Sequence, residues 1–520
     1  MSKKLLLVFP KSFAMSYGDM RFVSHLIGKA GLLNVSLPTV AALTPPEFDV
    51  TIVDENYDNI PYHPGWDLVG ITGFHIQLDQ ARKVAERFRD LEVPVVCGGP
   101  SVSVSPERWR KFADVLLIGE AERTWPQFCA DFSTGQYDDS YRDDDRFGLD
   151  VCPLPDYSGL AAETVDRYFG GIVQTSRGCP FDCEFCDVIA YVGRKMRYKT
   201  VDLVMREIRQ LAAMGLRFIV LADDNFTAGR EKSKEILTAI KRFTWGRGPR
   251  VNFATQLSID AAGDEELLRL ATQAGLNRVL IGIESPDKDS LAEANKNQNV
   301  RSDLVADVVK FHQMGIMVMG TSIVGFDHDD LSIFQRQFDY FMEAGILSPQ
   351  PFPLQAPDAT PLKERMIKEG RYLEWQSDLP PDRLNNFNTF TMKPKQFTVE
   401  QMEQGLHWLI RELYRPINVL ARFKSWVNQF EQSPYRRDLK IPGNPLDRQS
   451  LGILGRLGKY LLLRGSKDER WLLRQMVKTA RSSSHPQRFG LAVTVFLQAL
   501  NTRYMLERLN PQIERVRYPG

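Results

Sequence analysis

The chain has 520 residues, 43% of them apolar and 25% charged, with a formal net charge of +1. This is ordinary globular composition with room for about three domains, and a charge near zero argues neither for nor against nucleic acid. No apolar run reaches the roughly 18 residues needed to span a bilayer, since stretches such as Phe489 to Leu500 are short and carry polar residues.

Met1-Ser2-Lys3-Lys4 leads into the short apolar run Leu5 to Phe9 and then a proline, without a cleavage-site pattern. The expectation is a cytoplasmic protein whose thiols stay reduced. The first 150 residues alternate strand and helix signals, with Lys4 to Phe9, Val50 to Asp54, Leu68 to Thr72, Val93 to Cys97 and Val115 to Ile118 reading as buried strands. Between them Asp79 to Leu91 is amphipathic, its stripe formed by Ala81, Val84, Ala85 and Phe88. This rhythm predicts a doubly wound, Rossmann-like parallel sheet. Such sheets bind ligands at the carboxyl ends of their strands, and there the loops read Asp54-Glu55-Asn56, Thr72-Gly73-Phe74-His75, Gly98-Gly99-Pro100-Ser101 and Gly119-Glu120-Ala121-Glu122.

From about Arg167 the rhythm restarts, with strands at Ile172 to Thr175, Phe218 to Ala222, Val251 to Thr255, Val279 to Ile283, Val318 to Val324 and Gln350 to Leu354. A helix over Asp202 to Met214 is stopped by Gly215. Six repeats suit a partial (βα)6 barrel whose reactive face holds the C-terminal strand ends.

Just after the first of these strands comes Gly178-Cys179-Pro180-Phe181-Asp182-Cys183-Glu184-Phe185-Cys186. Cys-x3-Cys-x2-Cys supplies thiolates for three irons of a [4Fe-4S] cube, whereas a closed electron-transfer cluster needs a fourth. One iron is thereby left open to a ligand. Zinc would need a fourth Cys or His at finger-like spacing, and no histidine lies between Cys186 and His312. Cys97, Cys129 and Cys152 stand singly and read as small buried hydrophobes. Polar groups end later strands at Asp223-Asp224-Asn225, Gln256 and Gly282-Ile283-Glu284-Ser285. Asp223, Asp224 and Ser285 are also good helix N-caps, a role contributing about 1 kcal/mol each.

After Pro361 the alternation stops, and Gln376 to Lys395 has the composition of a loop or lid. Beyond Thr398, Met402, Leu406, Leu409, Ile410 and Leu413 form a helical stripe. From residue 421 onward there are 19 Lys plus Arg against 7 Asp plus Glu, an excess of 12. The segments Leu451 to Leu463 and Trp471 to Met476 combine apolar runs with Arg456, Lys459, Arg464, Arg470 and Arg474. Such helices either lie on an anionic membrane surface or pack onto the barrel with a solvated basic face. No nucleic-acid partner is expected, because no binding module accompanies the charge.

The cysteine loop, with aromatic Phe185 before its last cysteine, resembles that of the radical S-adenosylmethionine (SAM) superfamily. The order of sheet domain, cysteine loop and helical tail, with Leu413-Tyr414-Arg415-Pro416 near the tail's start, resembles class B, the cobalamin-binding type, in the branch that includes hopanoid C-2 methylases. The resemblance spans nearly the whole chain and implies domains over 1–155, 165–375 and 376–520, the last mainly helical. It implies that Cys179, Cys183 and Cys186 hold the cluster and that the open iron takes the amino and carboxylate groups of SAM. An electron from a donor such as flavodoxin or ferredoxin then releases a 5'-deoxyadenosyl radical.

By the same resemblance Phe185, Asp223, Asp224, Asn225, Gln256, Glu284 and Ser285 contact SAM, and Lys195 and Arg197 neutralise its carboxylate. Lys195 and Arg197 read equally well as a solvated basic loop, and Arg177 is placed to tune the cluster. Thr72, Gly73, His75, Gly98, Gly99, Pro100, Ser101, Gly119, Glu120 and Glu122 correspond to turns around cobalamin. The Asp-x-His-x-x-Gly signature that supplies a histidine to cobalt in some cobalamin proteins is absent, and His75 is the histidine at a strand end of this domain. The implied activity is C-methylation of an unactivated carbon in an apolar or lipid-like molecule. Oxidative cyclisation, another hydrogen abstraction, or non-catalytic sensing of cobalamin or SAM are the alternatives.

Overall fold

Short β-branched runs that are apolar on both faces can be satisfied only inside a sheet covered by helices, and this chain builds two such sheets. A computed structural model describes residues 2–12, 21–374, 390–443, 448–509 and 513–519. The strands are β1 (Lys3–Phe9), β2 (Ala30–Leu33), β3 (Phe48–Asp54), β4 (Leu68–Thr72), β5 (Val95–Gly98), β6 (Val115–Gly119) and β7 (Ser140–Asp143). They continue with β8 (Tyr168–Val173), β9 (Ser176–Arg177), β10 (Arg197–Tyr198), β11 (Phe218–Leu221), β12 (Asn252–Leu257), β13 (Leu276–Glu284), β14 (Met317–Val324) and β15 (Ser348–Pro353).

Among the described residues the first sheet has six parallel strands in the order β3-β1-β4-β5-β6-β7. Alternate side chains of β1 serve its two faces. Leu6 and Val8 pack with Val84 and Phe88 of the helix Leu78–Arg89, while Leu5 and Leu7 pack with Trp125 and Phe128 on the other side. A fully buried side chain such as Phe88 contributes about 1.5–3 kcal/mol. Strand order reverses beside β1, so the carboxyl ends of β1 and β4 open the crevice where this fold takes ligands.

The second sheet runs β15-β14-β13-β12-β11-β8-β2, again parallel throughout. Six of its strands answer the six repeats read from the sequence. The seventh, β2, comes from the N-terminal region and pairs Ala30 with Tyr168 and Leu32 with Gly170. An open barrel edge invites unwanted pairing, and β2 covers the outer edge of β8. Val23, Ile27 and Leu33 accordingly share a core with the barrel. Neither β2 nor β7 is announced by an apolar, β-branched run: one reads Ala-Gly-Leu-Leu and the other Ser-Tyr-Arg-Asp.

The C-terminal region is helical over Val399–Leu413, Pro416–Glu431, Arg448–Leu463, Lys467–Arg481 and Arg488–Leu509. Thr398 starts the first of these with a capping box closed by Gln401. Its predicted stripe, Met402, Leu406, Leu409, Ile410 and Leu413, is wholly buried. Leu409, Trp426 and Phe496 join the barrel's own core. Polar contacts seal the joint: the Tyr414 hydroxyl donates to Pro349 O at 2.8 Å, and His312 Nδ1 lies 2.6 Å from Gln429 Oε1. Burial pushes His312 and His485 down to about 4, so both are neutral there. Among the described residues no helix is long and apolar enough to cross a membrane. The lid reading for Gln376 to Lys395 falls largely outside the described residues.

Where the helix Val399–Leu413 crosses Ile333–Ala344, Gly405 lies against the ring of Phe334, and a Cβ there would come within 2.2 Å of it. Replacing Gly405 with alanine is expected to lower stability by about 1–3 kcal/mol through overpacking, despite alanine's better helix propensity. Thermal denaturation checks this; an unchanged or raised midpoint would show that the two helices do not meet at this distance.

Candidate active site

The cysteine loop is fixed at its ends before it is fixed anywhere else. β9 and β10 form a two-stranded antiparallel clip, pairing Arg177 with Arg197 and Ser176 with Tyr198. Gly178, at φ +109, passes so close to Lys195 O that a Cβ would come within 2.4 Å, which explains the glycine before the first cysteine. Cys179 N donates to Gly193 O at 3.2 Å, and Cys186 N to Cys183 O at 3.1 Å. The middle of the loop is held by Glu184, whose N–H donates to Ala294 O and whose C=O accepts from Leu362 N, each at 3.1 Å. The Glu184 carboxylate takes a two-pronged contact from Arg365, at 2.7 and 2.8 Å.

Burial raises all three thiols, Cys186 to about 12. Cys183 acts electrostatically on Cys179 and Cys186, and the Lys296 ammonium opposes the rise at all three. Lys296 is itself partly buried and bonded to Glu284 at 2.7 Å. Burial works against its charge, but Glu284 and Cys183 more than compensate and hold it protonated. Three thiols that all feel one partly buried cation suit a donor set that must become anionic to bind iron. Among the described residues no three metal-binding side chains converge on a single ion; a cubane asks only one thiolate per iron.

The predicted SAM residues separate into two groups. Asp224 is partly exposed, acts on Cys179, and is pushed up to about 7 by burial with Asp223 and Asp187 adding to the effect. Gln256 is exposed near the C-terminal end of β12. Glu284, in the left-handed region at φ +63, turns to Lys296. Asp224 and Glu284 act on the cysteine thiols, and Gln256 stands in solvent near its strand end. Asp223 is spent instead on fold: it accepts from Thr175 N at 2.7 Å, Ser176 N at 2.8 Å and the Thr175 hydroxyl. Asn225 is buried and accepts from the Thr227 hydroxyl, and buried Ser285 accepts from Asp287 N. Phe185 packs on Phe326 at 6.2 Å within a small apolar cluster. Lys195 is exposed.

Arg197 differs from the sequence expectation. Its guanidinium is buried and donates to Glu120 at 2.9 and 2.5 Å and to the carbonyls of Phe147 and Val192. Glu120 and Glu122, expected around cobalamin, turn toward the barrel. Arg177 meets Glu120 at 2.9 Å and Glu122 at 2.6 Å. Burial tends to raise the Glu122 carboxyl, but Arg177 outweighs it and holds it below the usual range. The acidic turn after β6 is therefore a strut between the two sheets.

The other predicted cobalamin residues gather at one edge. Gly99, at φ +116, sits against Thr72, whose hydroxyl a Cβ would meet at 2.6 Å. Gly73 and Gly98 flank that contact at the ends of β4 and β5. Pro100 opens the helix Pro100–Val104, in which Ser101 accepts from the Trp109 indole. Gly119 N donates to Ser103. His75 is exposed and feels the charge of Asp187, the residue after Cys186, so the loop after β4 faces the cysteine loop. Lys296 and Arg365 escape sequence reasoning because neither ends a strand; Lys296 follows a short helix and Arg365 lies within one. A cavity of about 380 Å3 lined by Lys29, Tyr168, Leu216 and Arg456 lies at the opposite, N-terminal strand ends and is unrelated to these groups.

Residues 173–336 match the family model of the Radical SAM superfamily, and residues 360–515 match a domain of unknown function, DUF4070. An uncharacterized methyltransferase of Synechocystis is 30% identical over 87% of this chain and 83% of its own length. The hopanoid C-2 methylase of Rhodopseudomonas palustris is 31% identical over 71% of each chain. Among solved structures, the methyltransferase TsrM of Kitasatospora setae with cobalamin and a [4Fe-4S] cluster superposes with a TM-score of 0.60 at 16% identity, over 84% of this chain and 99% of that one. OxsB with aqua-cobalamin and SAM gives 0.59 at 14% identity, over 99% and 80%. At such identities the likeness is one of fold. The three-cysteine loop, the matched barrel and the two relatives at 30% identity or above converge: the chain belongs to the radical SAM superfamily, in the group of methyltransferases that includes hopanoid C-2 methylase.

Proposed function

We propose that this enzyme uses a [4Fe-4S] cluster, SAM and cobalamin to methylate an unactivated carbon of an apolar, lipid-like small molecule. What supports this reading is that the cysteine loop of the barrel faces the strand ends β4 to β6 of the first sheet, where such sheets take ligands. The substrate class draws on relatives named for hopanoids and for bacteriochlorophyllide d, the latter from Chlorobaculum tepidum. When bound, the cluster with SAM supplies hydrogen abstraction and cobalamin supplies the methyl group.

Within this reading Cys179, Cys183 and Cys186 bind the irons, and partly buried Lys296 balances part of their charge. Asp224 receives the ammonium of SAM, a charge-assisted contact, with Gln256 nearby at the strand ends. Thr72, Gly73, Gly98, Gly99 and His75 border the cobalamin side. Arg365 and Arg177 hold the loop still from either side. The setting is cytoplasmic, with reducing equivalents from a donor of the flavodoxin or ferredoxin class.

Protein purified without oxygen is expected to contain both iron and cobalt. Cys183→Ala should lose most of its iron, keep its cobalt, and form no 5'-deoxyadenosine after dithionite reduction; a variant that retains iron and turnover removes the cluster assignment. The product should gain one methylene equivalent in mass. Loss of hydrogen or gain of oxygen would point to the cyclase reading instead, and no 5'-deoxyadenosine from the unaltered protein would leave a sensor.

Because Asp224 is protonated below about pH 7 and a cationic ligand needs its carboxylate, SAM affinity is expected to rise with pH. Between about pH 6 and about pH 8 the ionised fraction grows close to tenfold, and affinity should follow by up to about that factor. Anaerobic calorimetry should find the dependence flattened in Asp224→Asn. An equally steep profile in the variant would assign the proton elsewhere.

A further inference from the structure

The corner between the helices Arg448–Leu463 and Lys467–Arg481 carries the most exposed large apolar side chains among the described residues, Leu462 at 81% and Leu463 at 71%. This corner is built. Arg470 donates to Leu461 O at 3.1 Å and Gly465 O at 2.5 Å, covering one carbonyl in the last turn of the first helix and one in the turn that follows. Ser466 caps the second helix, and its N–H donates to the Glu469 carboxylate at 2.7 Å. Leu457 and Leu461, one turn apart, are buried, and that register obliges Leu462 and Leu463 to face water. Upstream, Leu451, Gly455 and Gly458 share the outer face with Leu462, and Leu454 borders it. All but Gly458 are exposed.

The second helix has the opposite character on its outer side. Lys467, Trp471, Arg474, Lys478 and Arg481 recur at helical spacing and all are exposed, while Leu472, Met476 and Ala480 face inward. Apart from Asp468 and the capping Glu469, the corner is free of acid from Leu451 to Arg481.

We propose that this helical corner is a peripheral membrane anchor, which seats Leu462 and Leu463 among the acyl chains of an anionic bilayer while the basic face meets lipid phosphates. Exposed leucines alone would serve any apolar partner. The cations decide for anionic lipid: long Lys and Arg stems lie along apolar surface while their heads stay in the polar layer, and Trp471 suits the same interface. A second copy of the chain would set like charges against each other. The mode is lying on the membrane rather than spanning it, and it stands independently of whether the chemistry is methyl transfer.

The test is co-sedimentation of the full-length protein with vesicles of phosphatidylcholine alone or mixed in equal parts with phosphatidylglycerol. Binding is expected to the mixed vesicles, weakening with salt as the screening length falls from about 10 Å at 0.1 M to about 3 Å at 1 M. Leu462→Ser with Leu463→Ser should reduce partitioning at least about tenfold without moving the melting temperature. Arg474→Gln with Lys478→Gln should weaken binding and flatten its salt dependence. Failure of the unaltered protein to bind the mixed vesicles overturns the proposal, as does binding that neither double variant changes. A concentration-dependent dimer dispersed by the leucine variant, without vesicle binding, overturns it in favour of self-association.

Discussion

The arrangement of this molecule turns on four charges that are buried or nearly so: Glu120 and Glu122 just after β6, and Arg177 and Arg197 from the clip that carries the cysteine loop. A buried ion pair adds little net stability over well-packed apolar groups, yet removing one member strands a charge and costs about 3–5 kcal/mol. Its value lies in register. Two carboxylates and two guanidiniums satisfy one another in one relative placement of the sheets, and Arg177 stands two residues before Cys179. Cys152 adds its thiol to Glu122 at 3.3 Å; burial pushes that thiol up to about 12, so it donates as a neutral group.

The far side of the loop is held by a different device. Arg365 grips Glu184 and also reaches Asp327 at 2.8 Å and Glu293 at 3.2 Å. Lys296, bonded to Glu284, acts on all three thiols. A loop that has to present three sulfurs without shifting is thus braced by charge on two flanks and by backbone hydrogen bonds between them, consistent with the need for active groups to be held by supporting contacts.

Much of the fold was legible in the sequence, because buried parallel strands are written as local apolar runs. Leu68–Thr72 begins and ends where its composition says, and the stripe of the helix Leu78–Arg89 is the one its periodicity gives. What could not be read depends on distant partners. β7 is a polar edge strand, and β2 is four residues whose pairing is decided by Tyr168 and Gly170 far along the chain. The site divides in the same way. The cysteines declare themselves by spacing, whereas the acidic groups at strand ends carry no mark of what they will face. Asp223 caps its own neighbour's loop, Glu120 and Glu122 cross to the other sheet, and Asp224 is left beside the thiols.

The strand β2 carries a consequence for how the protein is made. Ala30 leaves the ribosome roughly 140 residues ahead of its partner Tyr168, a delay on the order of ten seconds at ordinary translation speeds. During that interval the first sheet can close around β1, β3 and β4, yet Val23, Ile27 and Leu33 have no core to enter. The nascent chain must therefore hold an apolar segment unsheltered until the barrel begins to emerge, and severing the two sheets at their boundary would leave that segment orphaned on one fragment and a bare strand edge on the other.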